Sequence, residues 1–255
     1  LGDTNDRLVP TRVPELQGIV AVDGGESFSV ALSMDGVLHT WGYNSNGQLG
    51  VGDREVYLKV PTRVDTLSHV VDVAVGNFHT LAVTSDGAIF SWGHGGSGRL
   101  GHADGQADVD VPRRIAALEG VRIVRVGTGW YHSMAVSEEG RLYVWGRVGE
   151  GMLGLGDQTD GDLYVPTLVE GVEGVEGCTG GYNHSLLSTR GEAVMSFGQC
   201  GNEGIHWGVN EDTGENIPSD GRLGLGADVG KAVEATAIAG LTVAESRAVR
   251  VHHVR

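Results

Sequence analysis

The sequence predicts an all-β protein, a β-propeller built from four-stranded blades of about 50 residues. Three observations carry this expectation. An aromatic-glycine pair recurs as Trp41-Gly42, Trp92-Gly93, Trp145-Gly146 and Phe197-Gly198, at spacings of 51, 53 and 52 residues. Around each pair, short stretches alternate with period two, as in "VVDVAVG" (70–76) and "HTLAVTS" (79–85); this is the pattern of strands whose successive side chains face opposite ways. Between strands stand hairpin dipeptides, Asp35-Gly36, Asp86-Gly87 and Glu139-Gly140, with Arg190-Gly191 shifted in the fourth unit.

The second unit shows the elements in order. "VVDVAVG" and "HTLAVTS" are the first two strands, the Asp-Gly turn follows, "AIFSWG" (88–93) is the third and "VPRRIAAL" (111–118) the fourth. The fourth strand has its own marker in Pro61, Pro112 and Pro166, each followed three residues later by Val64, Ile115 or Val169. In the second strand Thr80 and Ala82 point one way and Leu81 and Val83 the other. The small pair recurs as Ser29/Ala31 and Ser133/Ala135. The small residues are expected on the crowded, tapering side of a blade and the large ones in the layer between blades.

The aromatics Trp41, Trp92, Trp145 and Phe197 are assigned a structural role between neighbouring blades. Burying about 200 Å² of indole at about 25 cal/mol per Å² contributes roughly 5 kcal/mol as an upper bound. The glycine after each ends the strand where a side chain would obstruct the turn. A Gly-x-Leu-Gly turn then reverses the chain, with Leu49, Leu100, Leu153 and Leu223 pinning each loop to the core.

The whole chain reads as one propeller segment. Residues 1–18 match the end of a preceding blade, 19–69, 70–120, 121–174 and 175–241 are complete repeats, and 242–255 begin a further one. Seven such blades would need about 364 residues, so four complete blades with partial units at both ends are expected to be part of a seven-bladed ring. The fourth repeat is irregular: residues 199–220, "QCGNEGIHWGVNEDTGENIPSD", form an inserted loop. Insertions of this kind project from one face of a repeat array and often bind partners.

Composition narrows the function. Of 255 residues 43 are Gly and only 6 are Pro, with no triplet period, which excludes collagen. The net charge of −15 opposes DNA binding and association with an anionic membrane. No apolar run is long enough to span a bilayer and no charged-then-apolar leader stands at the start. The chain opens on Leu1 rather than Met, so its first residue is not expected to be the natural start. Two cysteines, Cys178 and Cys200, do not make a disulfide framework, and point to an intracellular protein, cytoplasmic or nuclear.

Thirteen residues before each aromatic stand Phe28, His79, His132 and His184, each followed by Ser or Thr. Three histidines at one height could hold a metal if they faced the axis. A position that also takes Phe is instead read as structural, packed beside a turn with the imidazole bonding backbone, and no metal is assigned. The acidic loops at 157–162 (Asp157, Asp160, Asp162) and 210–216 (Glu211, Asp212, Glu215) lack the spacing of a calcium loop. "GHGGSG" (93–98) occupies a Trp-loop, with no following helix or Lys to cradle a phosphate. No nucleophile–base pair or dinucleotide fingerprint appears, so no catalytic residue or cofactor is assigned and an ordinary enzyme is not expected.

"HTLAVTSDGAIFSWGHGGSGRLG" (79–101) and "HSMAVSEEGRLYVWGRVGEGMLGLGD" (132–157) resemble the repeat of the regulator of chromosome condensation family, over nearly the whole chain. The resemblance implies a propeller, usually seven-bladed, and a protein-interaction scaffold that binds partners through loops on one face. The alternative it implies is a guanine-nucleotide exchange factor for a small GTPase. Binding candidates on this reading are Trp207 as an exposed aromatic anchor and the acidic residues Glu211, Asp212, Glu215, Asp157, Asp160 and Asp162; the partner is a protein, a small GTPase or a larger assembly. Trp130, in "GTGWYHS", raises a third reading, because an ultraviolet-B photoreceptor branch of the family clusters Gly-Trp-Arg-His motifs. Here Tyr131 stands where Arg would be, and the matching positions are Glu26, Asn77 and Tyr182, so the branch is not clearly indicated.

Overall fold

The computed structural model describes residues 2–156, 161–191 and 193–199 with their side chains, apart from that of residue 150, and the backbone of a strand at 231–242. The chain folds as four antiparallel four-stranded sheets, each in simple sequence order. The first holds β1 (Ile19–Gly24), β2 (Phe28–Ser33), β3 (Leu38–Tyr43) and β4 (Tyr57–Arg63). The second holds β5 (Val70–Val75), β6 (His79–Thr84), β7 (Ile89–Gly93) and β8 (Val109–Arg114). The third holds β9 (Ile123–Thr128), β10 (His132–Ser137), β11 (Leu142–Gly146) and β12 (Leu163–Leu168). The fourth holds β13 (Val175–Gly180), β14 (His184–Thr189), β15 (Ala193–Gln199) and β16 (Lys231–Thr242). Helix is limited, among the described residues, to three 3₁₀ turns, and no helix there is long and apolar enough to cross a membrane. The architecture is that of propeller blades.

The first strands pack side by side, β5 against both β1 and β9, and β9 against β13. They lie nearest a common axis, and the fourth strands lie outermost. Pro61, Pro112 and Pro166 sit in β4, β8 and β12, on sheet edges where a missing N–H breaks no ladder. In the second blade the fourth strand ends at Arg114, and Ala116–Leu118 turns as 3₁₀ rather than continuing it. Residues 2–18 form no strand; Gly2 N–H donates to Lys59 O (3.1 Å) beside β4.

Both faces of β6 and of β10 are inter-blade layers, which corrects the expected split into a tapering side and a packing side. All six residues of β6 are buried. Leu81 and Val83 pack toward the third blade with Ile123, Val126 and Ala135. Ala82 packs toward the first blade with Trp92, Val30 and Leu49. The small residues have a local cause: Thr80 pairs across the ladder with Trp92, and Ala82 with Phe90. Ser29 faces Trp41, Ser133 faces Trp145 and Ser185 faces Phe197 in the same way. A directly opposed pair shares one face, so each large ring is accommodated by a small partner.

The Trp-loop carbonyls join successive blades. Gln48 O accepts from Trp92 Nε1 (3.0 Å) and Thr80 Oγ1 (3.0 Å) of the next blade. Arg99 O accepts from Trp145 Nε1 (2.9 Å) and Ser133 Oγ (2.7 Å). Met152 O accepts from Ser185 Oγ (3.0 Å), and Phe197, at the indole position, has no donor to add. Trp92, Trp145 and Phe197 are fully buried, whereas Trp41 is only half-buried. It lines an open cavity of about 470 Å³ with Asp3, Thr4, Tyr57 and Lys59. Gly50 (φ +72°) lies flat beneath the Trp92 indole, and a Cβ there would stand 2.5 Å from Nε1. Only glycine permits both that approach and that dihedral.

Candidate functional site

Two sets of loops share one end of the blades. The turns between first and second strands meet the third strands there: Tyr43 N–H donates to Ser27 O, His94 to Phe78 O, Arg147 to Tyr131 O and Gln199 to Asn183 O, all at 2.8–3.0 Å. Each turn is built alike. Gly25, Gly76, Gly129 and Gly181 donate N–H to the carbonyl three residues on, at Phe28, His79, His132 and His184, each at 2.9 Å. The aromatic or imidazole ring folds back over the glycine, where a Cβ would collide with it.

The imidazoles reach further than a turn backbone. His79 Nε2 lies 2.9 Å from Ser133 Oγ and His132 Nε2 lies 2.7 Å from Ser185 Oγ, both buried and both across a blade boundary. Since these hydroxyls donate to Arg99 O and Met152 O, they accept from Nε2–H, which fixes the tautomer. Through Nε2 the imidazole thus bonds a serine hydroxyl of the next blade. Among the described residues no group of three or more His, Cys, Asp or Glu is placed to hold a metal ion.

The two residues between each glycine and its ring vary: Glu26-Ser27, Asn77-Phe78, Trp130-Tyr131 and Tyr182-Asn183. They bring aromatic rings together on this face. Trp130 packs against Tyr182 with the rings tilted by 49° and their centroids 4.3 Å apart, and meets Tyr131 at 6.2 Å, while Tyr131 and Tyr182 meet edge-on at 5.6 Å. A second group joins Tyr43 to Tyr57 (5.3 Å) and to Phe78 (6.2 Å). All six rings except the more exposed Tyr57 are half-buried.

Two arginines complete the first group. The Arg99 guanidinium lies 5.0 Å and that of Arg147 5.3 Å from the Tyr131 ring centre, within cation–π range. Arg99 is only 4% exposed. Its Nε donates to Gly96 O (2.7 Å) and its Nη1 to Trp130 O (3.2 Å). Burial lowers its pKa, with Tyr131, Asp108 and Asp162 acting in the opposite direction; a guanidinium remains charged regardless. Asp108 accepts from Gly95 N (3.0 Å) and Asn46 Nδ2 (3.1 Å), and Asp162 from Val148 N (3.3 Å). Both carboxylates therefore hold Trp-loops in place.

The opposite end is different in kind. It carries the hairpin turns and the connections between blades. There Arg63–Asp65 (3.1 Å), Arg114–Glu119 (3.3 Å), Arg122–Glu138 (3.3 Å) and Arg190–Glu176 (3.6 Å) form exposed ion pairs.

Of the sequence-derived binding candidates, the structure brings Trp130 into the aromatic group and places Asp162 as a loop support beside it. Trp207, Glu211, Asp212, Glu215, Asp157 and Asp160 lie outside the described residues, as does nearly all of the 199–220 insertion. That insertion leaves from Gln199 and the chain returns at Lys231, its partner across the ladder, so both ends open on the aromatic face. Sequence reasoning looked for an arginine next to Trp130 and found tyrosine. The arginines come instead from the Trp-loops of blades two and three, and they cover Tyr131 rather than Trp130. The readable signal was the Gly-x-x-(His/Phe) spacing, which marks the two intervening residues of each blade as one surface.

Comparison with known proteins agrees with this architecture. A model of the RCC1-like domain matches residues 1–252. The ultraviolet-B receptor UVR8 of Arabidopsis thaliana is 34% identical over 86% of this chain and 50% of its own length. The human E3 ubiquitin-protein ligase HERC2 is 36% identical over 74% of this chain but 4% of its own. The solved structure of Prp20p from Saccharomyces cerevisiae, described with its binding properties to Gsp1p and histones, superposes with a TM-score of 0.70 at 25% identity, covering 90% of this chain and 52% of that one. The chain thus spans about half the length of the receptor and of the yeast protein. With four blades joined by the same loop-to-ring contacts and a family model matched almost end to end, this chain belongs to the RCC1-like domain family of repeat propellers.

Proposed function

We propose that this chain is a protein-interaction propeller, part of a seven-bladed ring, that binds a protein partner through the face carrying Trp130, Tyr131 and Tyr182. The observation that supports the reading is the chemical contrast between the two ends of the blades. The end with the hairpin turns carries exposed ion pairs but none of these rings, and ion pairs of that kind are worth little. The other gathers tyrosine, tryptophan and arginine, the residues that dominate binding energy at protein interfaces. The partner's setting on this reading is intracellular, cytoplasmic or nuclear. The test is partner recovery by the chain with Trp130→Ala and Tyr182→Ala, against Arg122→Gln on the opposite end. Loss with the first pair and retention with the second is the expected result; equal recovery from both sinks the assignment of the face.

A second reading, guanine-nucleotide exchange on a small GTPase, draws support from the likeness to Prp20p, described with its binding properties to Gsp1p. Exchange requires tighter binding to the nucleotide-free GTPase than to the loaded one. Release of labelled GDP from a panel of small GTPases tests it, with Trp207→Ala and charge reversal at Glu211 and Asp212 expected to abolish any acceleration. Absence of acceleration leaves the scaffold reading alone.

A further inference from the structure

We propose that the Trp130–Tyr131–Tyr182 group and Arg147 form a docking site for an acidic peptide segment, a side-chain carboxylate seated on Arg147 and a neighbouring apolar residue on the Trp130–Tyr182 pair. The inference rests on the face assigned above and adds the chemistry of its ligand.

The argument begins with what Arg147 lacks. Among the described residues seven arginines, including Arg54, Arg113 and Arg122, pair with carboxylates, in a chain with 33 acidic residues. Arg147 makes no ion pair and no side-chain hydrogen bond among the described residues. It is half-exposed, and its guanidinium lies over Tyr131. A guanidinium held over a ring keeps its donors directed outward in a fixed plane, suited to the two oxygens of a carboxylate.

The surroundings are preorganised. Trp130 N–H donates to Gly181 O (3.1 Å), and Trp130 O accepts from the buried Arg99. The backbone carrying the indole is thus fixed from both sides before any ligand arrives, which reduces the ordering cost of binding. Arg99 adds a second positive charge against the Tyr131 ring without being accessible itself.

The nearby carboxylates select the ligand's charge. Asp108 and Asp162 lie close enough to influence Arg99, and both are committed to loop hydrogen bonds. They offset Arg99 and Arg147, so the site carries no surplus of positive charge, and a single carboxylate on Arg147 leaves less uncompensated charge than a phosphate dianion. With a net charge of −15 the chain as a whole repels an acidic peptide at long range. Attraction must then come from contact geometry, and the comparison of isosteres is a cleaner readout than salt dependence.

The test measures fluorescence anisotropy of short labelled peptides on the full chain: one with two glutamates flanking a leucine, one with glutamines in their place, and one with phosphoserines. The glutamate peptide should bind about tenfold more tightly than the glutamine peptide, the value of one charge-assisted pair. Arg147→Gln should erase that preference, Trp130→Ala should weaken both peptides alike, and Arg125→Gln, on an exposed arginine of β9, should leave both unchanged. Equal affinity for glutamate and glutamine peptides, a preference that survives Arg147→Gln, tighter binding of the phosphoserine peptide, or binding of none of the three overturns the proposal. Partner recovery lost with Trp130→Ala but intact with Arg147→Gln would overturn the ligand class while leaving the docking face in place.

Discussion

Replacing Trp92 by alanine tests the joint between the first two blades. The indole is fully buried, so about 200 Å² of apolar surface returns to water, worth roughly 5 kcal/mol at most. Measured large-to-small changes of aromatic residues in cores fall at about 3–5 kcal/mol, and this site has little freedom to collapse. Gly50 lies against the ring and cannot supply atoms, and Thr80 is the small partner opposite. The Gln48 carbonyl keeps its bond from Thr80 Oγ1, so no buried acceptor is orphaned and the loss stays within that range. Trp41→Ala is the internal control: with its ring half-buried beside an open cavity, the same reasoning gives about 2 kcal/mol or less. Trp92→Phe should cost about 1–2 kcal/mol, because Phe197 already fills the equivalent place over Gly154 without a donor. Thermal and urea unfolding followed by far-ultraviolet circular dichroism would rank the three variants. For a domain of this size Trp92→Ala should lower Tm by roughly 10 °C. Equal losses for Trp92→Ala and Trp41→Ala, or a loss under about 1 kcal/mol for Trp92→Ala, would refute the blade-joint argument.

Gly50→Ala should destabilise by about 2 kcal/mol or more, since alanine at φ +72° is strained and its methyl meets the Trp92 ring; unfolding midpoints check it, with Gly105→Ala, open around its Cβ, separating dihedral strain from the clash. A double-mutant cycle between His79 and Ser133 should show a coupling of about 1 kcal/mol across the blade boundary, and a coupling near zero would mean the buried bond contributes nothing net. Stability should decline as the pH falls below about 6.5. Burial, then Arg113, lowers the pKa of His102, and burial, then Arg99, that of His94; the unfolded chain therefore takes up protons that the folded chain resists, and stability is greatest above the ordinary histidine value and lost below it. His102→Leu, matching Leu155 in the next blade, should flatten part of that slope, separable from carboxylates such as Asp104, held low by its hydrogen bond to Arg113, which act only at more acidic pH.

What the sequence disclosed was whatever repeats with a steric cause. Trp92 and Trp145 could be placed because a large apolar residue at a fixed interval must be buried somewhere, and the glycines because only one residue type satisfies their dihedrals. The layer assignment of Thr80 and Ala82 failed because period two separates two faces of a strand without saying what each face meets. Here both met another blade, and the small residues answered rings on the neighbouring strand. The chemistry of the aromatic face was legible only in part. Trp130 was visible as an exception among Glu26, Asn77 and Tyr182, but Arg99 and Arg147 reach Tyr131 from loops 32 and 16 residues away in the chain, a proximity no local pattern encodes. Arg99 even serves two ends, its carbonyl joining Trp145 while its guanidinium supports Trp130.

The division of labour inside a single turn explains why such a face can differ from blade to blade at little structural cost. In Gly-x-x-His the glycine is fixed by the ring that folds over it, and the histidine by the serine of the next blade. The Trp-loop is fixed in turn by a carbonyl that accepts from the next indole. None of these contacts uses the side chains of the two residues between. Of positions 26–27, 77–78, 130–131 and 182–183 only Asn77 and Asn183 are buried; the other side chains are open to the face while their backbone is held rigidly, and they lie where the Trp-loops and the strand ends at Gln199 and Lys231 also open. A substitution there changes what the face presents without moving the backbone that presents it. Selection for a partner can act on these pairs independently in each blade, and on the proposed reading the aromatic residues concentrated in the third and fourth blades are where the partner binds.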